Sequence, residues 1–315
     1  MAATGRPHRL SAGLLPALLL ALSACASAAD DCAVDSDGVV LQVLGSGGPI
    51  ADDGRASTAY IVWVDGKSRL LVDVGGGAFL RFGEAGASFD DLDHIAISHF
   101  HTDHSADLVT LLKTGYFSPR TRPLSLSGPS GSGPFPSLTD YVDANIGPDG
   151  AYAYLSGYLD GSGGLVRLEL VELDAASRRS MPVFQREDAG IEITAMGVPH
   201  GIVPAIAYRV RVAGVDLVFS SDQNGNDESF VKFSNGADVL VMHMVVPEGV
   251  AGAGRALHAP PSRIGEIAAE AGADQLVLSH FMARSLADLD GNVAQVRQRF
   301  GGNVLLADDL VCIDP

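Results

Sequence analysis

Three histidines and an aspartate lie close together in the chain, at His99, His101, Asp103 and His104. Neutral imidazole and carboxylate groups are ligand types that suit Zn²⁺. In an extended segment, His99 and His101 project to the same side and can bind one ion. Asp103 and His104 are offset from them and can bind a second. A solvated polar loop is the alternative interpretation, but the full His-x-His-x-Asp-His pattern favours a metal site.

The flanking sequence indicates how this cluster is positioned. Residues 95–97 form a short apolar run, which predicts a buried strand, and residues 106–112 have the apolar spacing of an amphipathic helix. The cluster is therefore expected in a strand-to-helix loop at the rim of a sheet, where α/β folds often place their chemistry.

Three further metal-competent residues each follow a predicted strand. His200 follows residues 191–199, Asp222 follows residues 217–221, and His280 follows residues 275–279. Taken singly, each is as well explained by a hydrogen-bonded histidine or a turn aspartate. Together with the first cluster they can converge on one rim. The predicted ligands are His99, His101 and His200 for one Zn²⁺, Asp103, His104 and His280 for the second, and Asp222 as the bridge.

Two zinc ions about 3.5–4 Å apart are typical of metal-assisted hydrolysis, in which a shared water attacks the substrate. Asp103 is expected to be essential for both metal binding and turnover. Asp73 ends a predicted strand and is either a turn former or a carboxylate that orients the metal ligands. His94 precedes its strand and is interpreted as structural.

The chain resembles the metallo-β-lactamase fold superfamily, and within it the branch that holds ribonuclease Z, zinc arylsulfatases and related phosphodiesterases. The resemblance covers nearly all of the chain after its first residues and implies an α/β fold, a four-layer αββα sandwich with the site along one edge of its sheets. The segments that carry it are Gly45–Gly48, Val72–Gly75, the loop at His99, Gly128–Gly131, Pro199–Gly201, Ser221–Asp222 and Leu278–Phe281.

The resemblance also assigns roles to two further histidines. His258 looks like the histidine that this branch places near the scissile bond, where it would donate a proton or hydrogen bond to the leaving group, assisted by His243. A polar residue at a helix start and a buried core histidine are the respective alternatives. Two departures stand out. His243 occupies the position where ribonuclease Z has a glutamate, and the basic arm that holds transfer RNA is missing.

Composition narrows the substrate. The 315 residues carry a formal net charge of −17, with no run of lysine and arginine, which argues against long nucleic acids as partners. The resemblance to this branch implies a sulfate ester or a phosphodiester as the substrate. The prediction is a dinuclear zinc hydrolase that cleaves such a small ester in the cell envelope, with oligomers possible. A β-lactamase or lactonase, a non-catalytic zinc-binding lipoprotein and a di-iron redox site are the alternatives.

The first residues are predicted to be a targeting signal. Arg6 and Arg9 precede the apolar stretch 14–22, and the sequence around Cys25 resembles a bacterial lipobox. This predicts a lipoprotein signal peptide at residues 1–24, lipidation at Cys25, a tether at residues 25–37 and a hydrolase domain at residues 38–315. Ordinary signal-peptidase cleavage, with Cys25 discarded, is the alternative.

The predicted location is the periplasm, with contact to the outer membrane only through the lipid anchor. This compartment is oxidising. Cys32 and Cys312 are therefore expected to form a disulfide that joins the two ends of the mature chain, and two independent buried thiols are the alternative.

Overall fold

The computed structural model describes residues 1–2, 32 and 38–315. Nearly all of the predicted signal peptide, the lipidation site at Cys25 and most of the tether at residues 25–37 lie outside the described residues, so these features and the periplasmic location stay predictions. Among the residues that are described, no helix is long and apolar enough to cross a membrane.

Two seven-stranded sheets form the centre of the molecule. The first contains β1 (Val39–Gly45), β2 (Ala59–Val64), β3 (Lys67–Val72), β4 (His94–Ala96), β5 (Leu124–Pro129), β6 (Leu168–Leu173) and β14 (Cys312–Ile313). The second contains β7 (Met181–Arg186), β8 (Ile191–His200), β9 (Val203–Val212), β10 (Val215–Phe219), β11 (Val239–His243), β12 (Gln275–Ser279) and β13 (Asn303–Leu306).

Each sheet is half antiparallel and half parallel. The first has the order β14-β1-β2-β3-β4-β5-β6, and its pairing becomes parallel from β3 onwards. The second has the order β13-β12-β11-β10-β9-β8-β7, with the parallel pairs between β10 and β13. The parallel strands of each sheet bring their carboxyl ends to one edge, and the loops that leave this edge carry the polar residues singled out above.

Helices cover the outer faces of both sheets. In chain order they are α1 (Ala78–Glu84), α2 (Thr102–Ser105), α3 (Leu108–Gly115), α4 (Leu138–Ile146), α5 (Gly157–Asp160), α6 (Glu228–Phe233), α7 (Ala253–Leu257), α8 (Pro261–Ala271), α9 (Ala283–Leu286) and α10 (Leu289–Arg297).

The strand sequences explain this layering. Side chains alternate between the two faces of a strand, and β2 is apolar on both faces. Tyr60 and Val62 pack between the two sheets, whereas Ile61 and Trp63 pack under the helices that cover the first sheet. A strand with two apolar faces must be covered on both sides. The predicted four-layer αββα sandwich is therefore confirmed.

Two hairpins show how local sequence sets the register. The turn between β2 and β3 is formed by Asp65 and Gly66, whose φ angles are 49° and 69°. These positive values are those of a tight hairpin turn in which an aspartate followed by a glycine is favoured. The pairing of β8 with β9 continues as far as His200 and Val203, so His200 is the last residue of its strand and not a residue beyond it.

The disulfide lies at the far side of the first sheet from β6. It joins Cys32 to Cys312 in β14, across a sequence separation of 280 residues. The strand β14 pairs with β1, so the disulfide attaches Cys32 to an edge strand of the first sheet.

Candidate metal centre

The first sheet contributes four of the candidate ligands from one short segment. Strand β4 ends at Ala96, and the chain then passes through His99 and His101 before it enters α2, which contains Asp103 and His104. His99 Nε2 lies 3.0 Å from His101 Nδ1, so these two rings face the same point. His99 and His104 are fully buried and His101 is partly exposed.

The second sheet contributes the other three. His200 is the last residue of β8, Asp222 follows β10, and His280 follows β12. All three are at least 97% buried, with exposures of 1% to 3%. The two sheets thus supply the two halves of a single cluster, as expected for loops that leave the same edge of a sandwich.

Asp222 lies between two groups of donor atoms. Its Oδ2 is 3.7 Å from His200 Nε2, and its Oδ1 is 3.5 Å from His280 Nε2. In each group the donor atoms lie within 4.8 Å of one another; the first group is His99, His101, His200 and Asp222, and the second is His104, Asp222, His243 and His280.

Asp103 borders the second group. Its Oδ2 lies 3.3 Å from His280 Nε2 and 3.7 Å from His104 Nε2. The structure therefore brings all seven residues predicted to bind metal to one place, and it adds His243, which was predicted to act on the substrate instead.

The chemistry of the cluster fits a divalent cation. His200 Nε2 is buried and has no hydrogen-bond partner among the described residues, which is costly for a polar atom unless it binds something. Burial holds the pKa of His99 well below its ordinary value, so its ring is neutral and can coordinate. These observations, with the fold, support a divalent metal at this site.

The carboxylates of the site are ionised and need positive charge nearby. Burial alone would raise the pKa of Asp103, but a hydrogen bond from His280 and the charge of His104 lower that pKa to about 2. Burial would lower the pKa of His104, but Asp73 and the other carboxylates raise that pKa to about 9. In the metal-free protein the imidazolium of His104 therefore supplies part of the charge that a cation would supply.

Asp73 holds His104 in place. Its Oδ2 accepts a hydrogen bond from His104 Nδ1 at 2.8 Å, which leaves His104 Nε2 directed at the site. Asp73 also accepts hydrogen bonds from the backbone N–H of Ser98 at 2.7 Å and from its hydroxyl at 2.8 Å. The structure thus gives Asp73 the contacts of a carboxylate that orients a metal ligand.

Backbone strain concentrates at the same residues. Asp73, Ser221 and His280 have φ angles of 58°, 57° and 56°, in the left-handed region that non-glycine residues rarely adopt. Strain of this kind costs roughly 1–3 kcal/mol per residue and persists only where the surrounding structure enforces it. The surrounding structure therefore enforces unfavourable backbone conformations at His280, at Ser221 next to Asp222, and at Asp73, which contacts His104.

A cavity of about 460 Å³ opens onto the cluster. His101, Asp103 and His280 form its polar floor, and Phe100, Val245 and Met282 are among its apolar walls. His258 also lines it, and the Nδ1 atom of His258 lies 3.8 Å from Asp222 Oδ2 without a hydrogen-bond partner among the described residues. The structure therefore places His258 where it can contact a substrate.

His243 has a different position from the one expected for a proton-donating assistant. It is 5% exposed and lies behind Asp222, outside the residues that line the cavity. Its Nδ1 is 2.7 Å from Asp222 Oδ1 and its Nε2 is 3.3 Å from the Tyr60 hydroxyl. His94 lies in the core, with Ser125 and Ser127 as its hydrogen-bond partners, in agreement with a structural role.

Sequence reasoning missed Arg284, which also lines the cavity. Its Nε donates to the backbone carbonyl of Val245 at 3.0 Å, and its charge helps to lower the pKa of His258. The signal available in the sequence was that Arg284 follows His280, the last of the strand-end histidines, by only four residues. An Arg guanidinium in this place suits a phosphate group.

A family model described as "Beta-lactamase superfamily domain" matches residues 68–281, a span that contains all seven candidate ligands. The chain is 27% identical over 293 residues to ribonuclease Z of Mycolicibacterium paratuberculosis, which covers 86% of this chain and 96% of the relative. It is 29% identical over 297 residues to ribonuclease Z of Halorubrum lacusprofundi, covering 84% of this chain and 94% of the relative.

Solved structures share the fold. The metallo-β-lactamase fold protein YhfI from Bacillus subtilis matches with a TM-score of 0.65 and 22% identity, over 88% of this chain and 100% of its own. The short form of human tRNase Z also matches with a TM-score of 0.65, at 20% identity, over 87% of this chain and 98% of its own.

These comparisons support a metal-dependent hydrolase and correct two predictions. The prediction of a hydrolase for small esters is wrong, and so is the exclusion of long nucleic acids, because relatives that cover most of the chain are named ribonuclease Z. An arylsulfatase-like specificity has no support either. The error arose because a net charge of −17 describes the whole chain, whereas a phosphodiester meets only the local charges of the cleft.

Proposed function

Since this chain belongs to the β-lactamase superfamily, we propose that it is a metal-dependent ribonuclease that hydrolyses phosphodiester bonds in RNA, with transfer RNA as the first candidate substrate. The observation that carries the proposal is the pair of donor groups that share Asp222. The names of the relatives support RNA as the substrate class.

The histidine-rich donor set favours two zinc ions. His99, His101 and His200 would hold one ion, Asp103, His104 and His280 the other, and Asp222 would contribute one oxygen to each. In sites of this type, two divalent ions supply an activated water and stabilise the charge that develops on a phosphoryl oxygen.

Two side chains that line the cavity, His258 and Arg284, would contact the substrate. Burial lowers the pKa of His258 to about 3, so its ring is neutral at pH 7. A neutral imidazole still carries one N–H, and this N–H would donate a hydrogen bond to the leaving oxygen. The Arg284 guanidinium would bind a non-bridging oxygen of the scissile phosphate or of the next phosphate along the strand.

Binding outside the cavity is expected to be weak. Arg284 is the one lysine or arginine among the described residues that line the cavity, so the protein should contact few phosphates beyond the scissile one. Each phosphate contact to a single strand changes the slope of log affinity against log salt by about 0.7. We therefore expect a shallow salt dependence of KM, with a slope that corresponds to one or two contacts.

The test uses the zinc-loaded protein and an end-labelled transfer RNA precursor with a 3′ extension, with DNA of the same sequence beside it. We expect cleavage of the RNA and its loss in Asp103→Ala, whose metal content should fall at the same time. Asp149→Ala, which removes an exposed carboxylate in the turn after α4, is the matched control and should cleave normally. Intact RNA after incubation with the zinc-loaded protein would overturn the proposed substrate, and normal cleavage by Asp103→Ala would overturn the site.

A further inference from the structure

His243 contacts the one carboxylate that both donor groups share. The distance from His243 Nδ1 to Asp222 Oδ1 is 2.7 Å, and both residues are at least 95% buried, with exposures of 5% and 3%. An ionised carboxylate can only accept a hydrogen bond. The proton in this contact is therefore on His243 Nδ1, which donates to Asp222.

The second nitrogen of the same ring completes a chain of hydrogen bonds. With its proton on Nδ1, the neutral ring of His243 accepts at Nε2, and the hydroxyl of Tyr60 donates to it over 3.3 Å. Tyr60 is 1% exposed and packs against Phe219 with ring centroids 5.4 Å apart. The chain Tyr60–His243–Asp222 is therefore held by buried neighbours at each step.

This chain of hydrogen bonds connects the two halves of the site. Tyr60 belongs to β2 of the first sheet, whereas His243 ends β11 and Asp222 follows β10 in the second. The four ligands near His99 also come from the first sheet. A hydrogen bond that fixes Asp222 relative to the first sheet thus fixes it relative to those ligands.

The same contacts argue against a direct metal contact for His243. A nitrogen that carries a proton has no lone pair for a metal, and the other nitrogen is directed at Tyr60. Asp103, whose Oδ2 is 3.3 Å from His280 Nε2, is the oxygen available to complete the second group. His243 is also absent from the residues that line the cavity where a substrate would bind.

We infer that His243 is a positioning residue for Asp222, held by Tyr60, and that it binds neither metal nor substrate. The arrangement mirrors the one at His104, where a carboxylate, Asp73, orients a histidine. At Asp222 a histidine orients a carboxylate. The inference rests on the metal site proposed above but does not depend on the identity of the substrate.

The experiment measures the affinity of the metal-free protein for Zn²⁺ alone, by competition with a chromogenic chelator. Loss of a partner that orients a ligand typically weakens metal binding 10- to 100-fold, and we expect this loss in His243→Ala. In His243→Asn the side-chain amide N–H can take the place of Nδ1–H, so we expect affinity close to that of the unchanged protein. A direct ligand would give equal losses in both variants, because an amide nitrogen does not bind zinc.

Two further variants keep the result interpretable. Tyr60→Phe retains the ring of His243 but removes the hydroxyl that holds it, and should weaken zinc binding less than His243→Ala. His94→Asn is the matched control, because it replaces another buried histidine with two hydrogen-bond partners, away from the metal cluster. Its zinc affinity should be unchanged.

Three outcomes would overturn the inference: equal losses in His243→Asn and His243→Ala, full affinity in His243→Ala, or loss of affinity in the His94→Asn control. If His243→Ala does not fold, His243→Asn and Tyr60→Phe decide the question. We expect normal zinc affinity in His243→Asn and reduced zinc affinity in Tyr60→Phe. If the zinc affinities are as expected but the protein does not cleave RNA, the proposed ribonuclease activity is refuted and the role of His243 stands.

Discussion

Replacing Asp73 with asparagine tests whether the outer hydrogen bonds determine metal affinity. The carboxylate accepts three hydrogen bonds, from His104 Nδ1 at 2.8 Å and from the Ser98 backbone and hydroxyl at 2.7 and 2.8 Å. Asparagine has the same shape but one acceptor oxygen fewer. At least one donor then faces an NH₂ group, whichever way the amide is turned.

Two effects of Asp73→Asn follow from this mismatch. Loss of a partner that orients a ligand costs about 10- to 100-fold in metal affinity, which corresponds to about 1.4–2.8 kcal/mol at 1.4 kcal/mol per tenfold. A buried donor without an acceptor also costs about 1–3 kcal/mol of unfolding free energy. Zinc affinity is measured by chelator competition, and stability by urea unfolding in the presence of EDTA, so that metal loss does not contribute to the second value.

The matched control is Asp216→Asn. Asp216 accepts hydrogen bonds from Arg209 and Arg211 near the start of β10, at the end of the strand opposite Asp222. This variant should lose stability without losing zinc affinity. A folded Asp73→Asn protein that binds zinc as tightly as the unchanged chain would refute the argument that Asp73 positions His104.

Two predictions concern stability away from the metal centre. Burial lowers the pKa of His94 to about 3, against 6.5 in the unfolded chain. Between these two pH values the unfolded state therefore binds more protons than the folded state. The free energy of unfolding should fall as the pH drops from 6.5 to about 3, by up to about 1.4 kcal/mol per pH unit. Urea unfolding with EDTA at several pH values should show a smaller decrease in His94→Asn, and parallel curves would contradict the assignment. Reduction of the disulfide between Cys32 and Cys312 should lower the unfolding free energy by about 2–5 kcal/mol, mainly through the entropy of the unfolded chain. The double variant Cys32→Ser/Cys312→Ser should not respond to reductant, and a response of equal size there would place the effect elsewhere.

The sequence by itself determined the kind of site and its place in the fold. His99, His101, His200 and His280 each follow an apolar run of strand length. The carboxyl ends of neighbouring strands share one sheet edge, so residues that follow the strands must meet there whatever the details of packing. The four layers were predicted from the resemblance to the superfamily, and the strands that are apolar on both faces, such as β2, explain why the sheets are covered on both sides.

The substrate class was not predictable from composition, because net charge sums over a surface that the substrate does not contact. Arg284 illustrates the point. It is one cation in a chain of net charge −17, yet it lines the cavity that opens onto the donor atoms. Local charge at a cleft depends on which residues the fold brings there, and the net charge of the chain gives no information about it.

Only the tertiary structure decided what each polar residue does. Asp73 and His104 are 31 positions apart, and Tyr60 and His243 are 183 positions apart, on different sheets. Hydrogen bonds act over about 3 Å, so a role that depends on one of them is set by packing. The pairing of β3 with β4 brings Asp73 to His104, and the packing of the two sheets brings Tyr60 to His243. For this reason the sequence placed His243 near the chemistry, while the fold turned its ring towards Asp222 and Tyr60, away from the cavity.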